Sequence, residues 1–93
     1  MFERILNRIR EKVRTLEYVM SIHAEEEMND DGLTIYDIEH VLLNGEIVSR
    51  QKDLLTGEWK YLVEDRTLGS EAVVVVTKLS LTSKLVIITV YVE

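Results

Sequence analysis

The spacing of the apolar residues changes at Glu46, and this change constrains the fold more than any other feature of the sequence. Before Glu46 the apolar residues recur at spacings of three and four, which is typical of amphipathic helices. After it, short segments rich in Val, Ile, Tyr and Thr alternate with turn-like pieces, which is typical of strands. Helices followed by a run of strands predict an α+β fold.

The first half of the chain predicts two or three helices. An amphipathic helix is expected over residues 2–16, and a helical pair over residues 22–43, with residues 17–20 as an extended link. Ser21 stands where an N-cap is needed. Thr34 has an aspartate three residues further on, which is the spacing of a capping box. The helical half therefore has two well-marked helix starts.

The second half, residues 46–92, predicts about four strands joined by short turns. Short connections favour antiparallel neighbours, so a meander is expected. The last two strands are apolar on both faces, which predicts a central, helix-covered position. The whole chain, residues 1–93, is expected to form one domain. The predicted architecture is two or three N-terminal helices packed on one face of a roughly four-stranded antiparallel sheet.

Charge and composition exclude several classes of protein. The net charge of −6 disfavours non-specific binding of nucleic acid, although residues 1–16 carry a local excess of +3 and residues 17–46 a deficit of −9. The chain has no cysteine, which excludes disulfides and Cys-based zinc sites. It shows neither an uninterrupted signal-peptide core nor an apolar run of about 20 residues that would span a bilayer. We therefore expect a cytoplasmic protein without a membrane partner.

The segment SIHAEEEM, residues 21–28, is the first candidate for chemistry. His23 and Glu27 stand one helical turn apart and can contact each other, which would suit acid–base work. The same residues also have a structural explanation, because carboxylates near a helix N-terminus are favourable. The spacing of His, Asp and Glu matches no known metal motif, so neither a metal nor a cofactor is predicted.

The strand half contains the second candidate, a set of basic residues with tyrosines. A lysine cluster beside a tyrosine suits metal-independent cleavage of RNA, since cations stabilise the phosphate transition state. Lys52 and Lys60 would form a basic patch if they faced the same side of the sheet. Charges on a solvated face more often serve solubility, so both interpretations stay open. The set comprises Arg50, Lys52, Lys60, Arg66, Lys78, Lys84, Tyr61 and Tyr91.

A resemblance adds to these patterns. The segments HAEEEMNDDGLTIYDIEHVLLNGEIV, RQKD, TGEWKYLV, VVVVTKLS and KLVIITVY resemble the bacterial family called domain of unknown function 4258, and in particular its cyanobacterial-type subgroup. Members of that family are similar to RelE/ParE-like and BrnT-like toxins. The resemblance therefore implies a RelE-like architecture and a toxin-like component of a type II toxin–antitoxin pair, acting on RNA or translation, with a metal-independent ribonuclease as the implied activity.

The resemblance also implies partners and site residues. The partners would be an antitoxin-like zinc-finger protein of the YgiT type and RNA or the ribosome. Glu27 departs from the family, which often has arginine there. The alternative function is a non-catalytic interaction or regulatory module with a degenerate active site, for which a homo-oligomer is one form. The candidate catalytic residues are His23, Lys52, Lys60, Tyr61 and Lys78.

Overall fold

The computed structural model describes residues 2–67, 69–80 and 82–93. The fold is α+β, with three helices and a five-stranded mixed sheet in these ranges. The elements are α1 Glu3–Arg14, β1 Tyr18–Met20, α2 Ile22–Asp30, α3 Ile35–Asn44, β2 Glu46–Lys52, β3 Trp59–Arg66, β4 Ala72–Leu79 and β5 Leu85–Val92.

The sheet has the strand order β1-β5-β4-β3-β2. The strands β2 to β5 form the expected antiparallel meander. Residues 17–20 are extended, as expected, but they are more than a link, because Tyr18–Met20 pairs in parallel with β5. The Leu85 N–H donates to the Glu17 carbonyl at 3.0 Å, and the Ser21 N–H donates to the Ile87 carbonyl at 2.9 Å. The sheet is therefore mixed and five-stranded, rather than antiparallel and four-stranded.

The first helix ends two residues before the predicted boundary at residue 16. Leu16 adopts the left-handed conformation, with φ of 59°. The Glu17 N–H donates to the Lys12 carbonyl at 2.8 Å, and the Leu16 N–H to the Val13 carbonyl at 3.1 Å. These two bonds form a Schellman motif, which closes the helix and turns the chain towards β1.

The helix starts marked in the sequence are confirmed. The Ser21 hydroxyl accepts from the Ala24 N–H at 3.0 Å and donates to the Ile88 carbonyl at 2.9 Å. Thr34 and Asp37 form a complete capping box at the start of α3. These caps satisfy backbone donors that the first helical turn leaves free.

All three helices pack on one face of the sheet around a single apolar core. Burial of these aliphatic side chains is the main stabilising contribution, at roughly 25 cal/mol per Å² of apolar surface. The fully buried core residues include Ile9, Ala24, Ile38, Val41 and Leu42 from the helices and Val63, Val73, Val75, Leu85, Ile87 and Val90 from the strands.

The opposite face of the sheet carries none of the three helices in the described part of the chain, and we call it the helix-free face. Register and alternation assign Val48, Leu62, Val74, Val76 and Tyr91 to it. Val74 is nevertheless buried between its neighbours, while Val48 and Tyr91 are exposed. Coverage of β4 and β5 by helices is therefore one-sided. No helix in the described ranges is long and apolar enough to cross a membrane.

Candidate functional site

The β2–β3 hairpin separates the predicted basic residues onto two faces. Lys52 pairs with Trp59 and Arg50 with Tyr61, whereas Gln51 pairs with Lys60. Direct cross-strand partners share a face, and neighbouring residues of one strand point to opposite faces. Lys52 therefore lies on the helix side of the sheet and Lys60 on the helix-free face. The condition for a joint Lys52–Lys60 patch is not met.

Arg50, Lys52 and Trp59 form a compact group, which we call the Trp59 cluster. The guanidinium carbon of Arg50 lies 4.0 Å from the centroid of the Trp59 ring, and the Lys52 ammonium lies 5.7 Å from it. Strand pairing produces this geometry, since Lys52 is the direct partner of Trp59 and Arg50 is the diagonal one. Each such cation–π contact contributes about 0.5–1 kcal/mol at an exposed site. The cluster is thus held in place before any ligand arrives.

The Trp59 cluster borders a groove of about 260 Å³ between α1 and the end of the sheet. Trp59 and Tyr61 form part of one wall, and Arg8 of α1 contributes a further cation. Trp59 is 37% exposed, whereas Tyr61 is only 8% exposed and packs edge-on against Phe2 with ring centroids 6.3 Å apart. The groove therefore combines an accessible aromatic ring with the positive charge of Arg8 and the carboxylate of Glu58.

Lys78 is engaged in an ion pair and does not join the cluster. Its Nζ lies 3.2 Å from Oε1 of Glu58, and both side chains are partly buried. Asp53 lies near both Lys60 and Lys78. Its pKa is lowered chiefly by the backbone hydrogen bond from Leu55, with a further contribution from the charges of Lys60 and Lys78. Neighbouring carboxylates thus offset the positive charge on this side.

His23 lies in a different part of the molecule. Its Nε2 is 2.8 Å from Oε1 of Glu27, as the one-turn spacing allows, and its side chain is 62% exposed. The helix α2 that carries it packs against β5, and two strands separate β5 from β2. His23 is therefore not brought together with Lys52 and Tyr61. The five predicted catalytic residues do not form one constellation.

A groove of about 460 Å³ lies at the other end of the hairpin and is acidic. Glu46 and Glu64 are direct cross-strand partners there. A hydrogen bond with Glu64 is the main cause that raises the pKa of Glu93. Clustered carboxylates repel phosphate, so this groove is unsuitable for nucleic acid. Across the described ranges, no group of three or more His, Asp or Glu side chains could hold a metal ion.

Comparison with known proteins identifies the family. The model of the domain of unknown function DUF4258 matches residues 20–92. The chain belongs to this family. The DUF4258 match includes the Trp59 cluster but excludes α1, which supplies Arg8. Neither a curated protein nor a solved structure matches the chain.

The stacking of Arg50 on Trp59 was not predicted from the sequence. The sequence does show that Arg50 and Lys52 precede the predicted turn and that Trp59 follows it, which is the one signal that could have indicated this contact. Whether a cation on one strand contacts an aromatic residue on the neighbouring strand can be decided only when the register of the two strands is known. The sequence supplied the residue types, and the hairpin register supplied the contact.

Proposed function

We propose that the protein is a toxin-like component of a type II toxin–antitoxin pair that binds single-stranded RNA at the Trp59 cluster and thereby acts on translation. The observation that carries this proposal is the stacking of Arg50 on Trp59 with Lys52 beside it. Bases stack on exposed aromatic rings, and Lys and Arg attract the phosphates. The toxin role and the partner, an antitoxin-like protein of the YgiT zinc-finger type, rest on the family resemblance.

The geometry favours RNA binding over a five-residue catalytic centre. Lys60 faces the other side of the sheet, Lys78 is paired with Glu58, and His23 lies on α2. Arg50 and Lys52 lie against Trp59, and Arg8 lines the adjacent groove together with Glu58. These cations would hold an RNA segment against Trp59. Any cleavage would have to use the same cations to stabilise the transition state.

Trp59 is the single tryptophan of the chain, so its fluorescence reports directly on this site. We expect a short single-stranded RNA to quench it in a saturable way. Arg50→Ala and Lys52→Ala should each weaken binding, and each should reduce the slope of log K against log salt by about 0.7, as expected for one lost phosphate contact on a single strand. Lys60→Ala, on the helix-free face, is the matched control and should leave the titration close to wild type.

The cellular test is induced expression in a bacterial host, with growth and bulk translation as readouts. We expect arrest with the wild type, relief on co-expression of the neighbouring open reading frame, and no arrest with Arg50→Ala/Lys52→Ala. Unchanged growth with the wild type, or a Trp59 fluorescence that RNA does not alter, would contradict the proposal. RNA binding without arrest would retain the site and reject the toxin role.

A second function, a non-catalytic protein-interaction module, is favoured by the helix-free face. Val48 is 51% exposed on the edge strand β2, and Tyr91 is 38% exposed on β5 beside its cross-strand partner Val74, so apolar side chains reach the solvent on this face. Exposed apolar patches of this kind often bind other proteins. The two functions separate in the fluorescence titration, because a protein bound on the helix-free face leaves the RNA site on the other side free.

A further inference from the structure

The turn between β2 and β3 presents two leucines to solvent. Leu54 is 91% exposed and Leu55 is 97% exposed, the two highest values among the exposed large apolar side chains of the described residues. Single exposed apolar residues are ordinary, but two adjacent leucines at a hairpin tip form a projecting apolar knob. We call Leu54 and Leu55 the hairpin tip.

The hairpin tip is held in place by its own hydrogen bonds. Oδ1 of Asp53 accepts from the N–H groups of Leu55 at 2.9 Å and Thr56 at 3.4 Å. The Gly57 N–H donates to the Asp53 carbonyl at 2.7 Å, and Gly57 takes a φ of +75° that closes the turn. The local bonds thus direct the two leucines outwards, and a partner would find them already ordered.

A groove of about 350 Å³ lies at the beginning of the same strand β2. The apolar residues Phe2, Leu6 and Ile47 line it together with two acidic residues, Glu3 and Glu46. The hairpin tip has the opposite charge beside it, because Arg50 and Lys52 precede it in the chain. An apolar groove with acidic walls thus stands at one end of β2, and an apolar knob with basic flanks at the other.

We propose that two copies of this chain associate about a two-fold axis beside β2, with the hairpin tip of each seated in the groove of the other. A two-fold interface is formed by the same surface of both copies. With a hairpin tip at one end of β2 and a groove at the other, the contact between tip and groove is formed twice. β2 is an edge strand of the sheet, so its free side is open to a neighbour. Antiparallel alignment of two β2 edges brings the end of each strand towards the beginning of the other.

The β-bulge in β2 limits how the two edges meet. The register with β3 shifts between Ile47 and Ser49, which bends the strand in its middle. Bulges of this kind oppose continuous edge-to-edge pairing. The association therefore depends on side chains at the two ends of β2, and substitutions at these ends are the sharpest test.

The first measurement is the molar mass in solution by light scattering over a range of concentrations. The wild type should approach twice the chain mass of 10.8 kDa as concentration rises. Leu54→Ser/Leu55→Ser should remain at the mass of one chain at concentrations where the wild type is dimeric. Ile22→Ser is the matched control, since Ile22 is 78% exposed on α2. A wild type that stays monomeric at all concentrations, or a dimer that the leucine double variant leaves intact, overturns the proposal.

The second measurement is a charge exchange. Glu3→Lys and Lys52→Glu should each weaken the dimer at least tenfold, and the double variant should restore it, because the opposite charges are then present in reversed positions. Glu3 is exposed in the first turn of α1, so a lower mass for Glu3→Lys with an unchanged circular dichroism spectrum is not unfolding. If the double variant does not restore the dimer, the proposed contact between the end of one β2 and the beginning of the other is wrong. The RNA titration follows Trp59 fluorescence and not molar mass, so RNA binding and the association of two copies are tested by separate measurements.

Discussion

Gly45 joins α3 to β2, and substituting it by alanine tests the packing of this junction. An added Cβ would lie 2.5 Å from the carbonyl oxygen of Glu64 and 2.6 Å from that of Val41. Both contacts are with backbone atoms, so no flexible side chain can move away. The backbone φ of −80° is ordinary for any residue, and the cost is therefore purely steric.

The magnitude follows from what must move. Inserting a methyl group into a packed site costs about 1–3 kcal/mol. Relief of the clash would also strain the hydrogen bond from the Gly45 N–H to the Val41 carbonyl, 2.8 Å long, and such a bond contributes about 1 kcal/mol. We therefore expect the free energy of unfolding to fall by about 3 kcal/mol. For a domain of this size that lowers Tm by roughly 12–24 °C.

Thermal and urea unfolding followed by circular dichroism measure this change. Gly69→Ala is the matched control, because the nearest atom to its added Cβ is Oγ1 of Thr67 at 3.8 Å. The control should unfold close to the wild type. A Gly45→Ala variant within 1 kcal/mol of the wild type, by the scale that separates packed from open sites, would refute the close approach of α3 and β3.

Two further predictions concern the side of the molecule around β1. The pKa of Tyr18 is raised from 10.0 to about 12 by partial burial and by the hydrogen bond it donates to Glu39 at 2.6 Å. Because the folded state holds the Tyr18 proton more tightly, this contribution to stability is present below pH 10 and is lost as the pH rises towards 12. Glu39→Gln should lower the midpoint of Tyr18 ionisation in a phenol absorbance titration. An unchanged midpoint would contradict the assigned cause. Ser21→Ala should cost about 1–2 kcal/mol in urea unfolding because it removes both the α2 cap and the bond to β5, whereas Ser21→Thr should keep most of both; equal loss in the two variants would show that the hydroxyl is not responsible.

The helical half could be predicted from sequence because its signals are local. Thr34 and its aspartate three residues later mark α3, and both the apolar spacing and the cap are visible within a few residues. The strand β1 could not be found in this way. It has only three residues, and its pairing with Leu85–Ile87 depends on a segment near the other end of the chain.

The candidate site depends on which residues of β2 and β3 share a face of the sheet, and this could not be read from the sequence. Whether Lys52 and Lys60 share a face is decided by the register that the turn sets between β2 and β3, in which Lys52 pairs with Trp59 and Gln51 with Lys60. A shift of one residue in this register would place the two lysines on the same face. The same register brings Arg50 onto Trp59. Residue types were thus predictable here, but their grouping was not.

The parallel pairing of β1 with β5 has a consequence for synthesis of the chain. The bond from Ser21 to the Ile88 carbonyl joins residues 67 positions apart. At ribosomal rates of about 5–20 residues per second, that interval takes roughly 3–13 s. The β5 surface against which α2 packs is therefore absent until the last strand emerges. During those seconds α2 has no β5 surface on which to pack, and the like charges of its acidic residues oppose its association with other copies of the same segment.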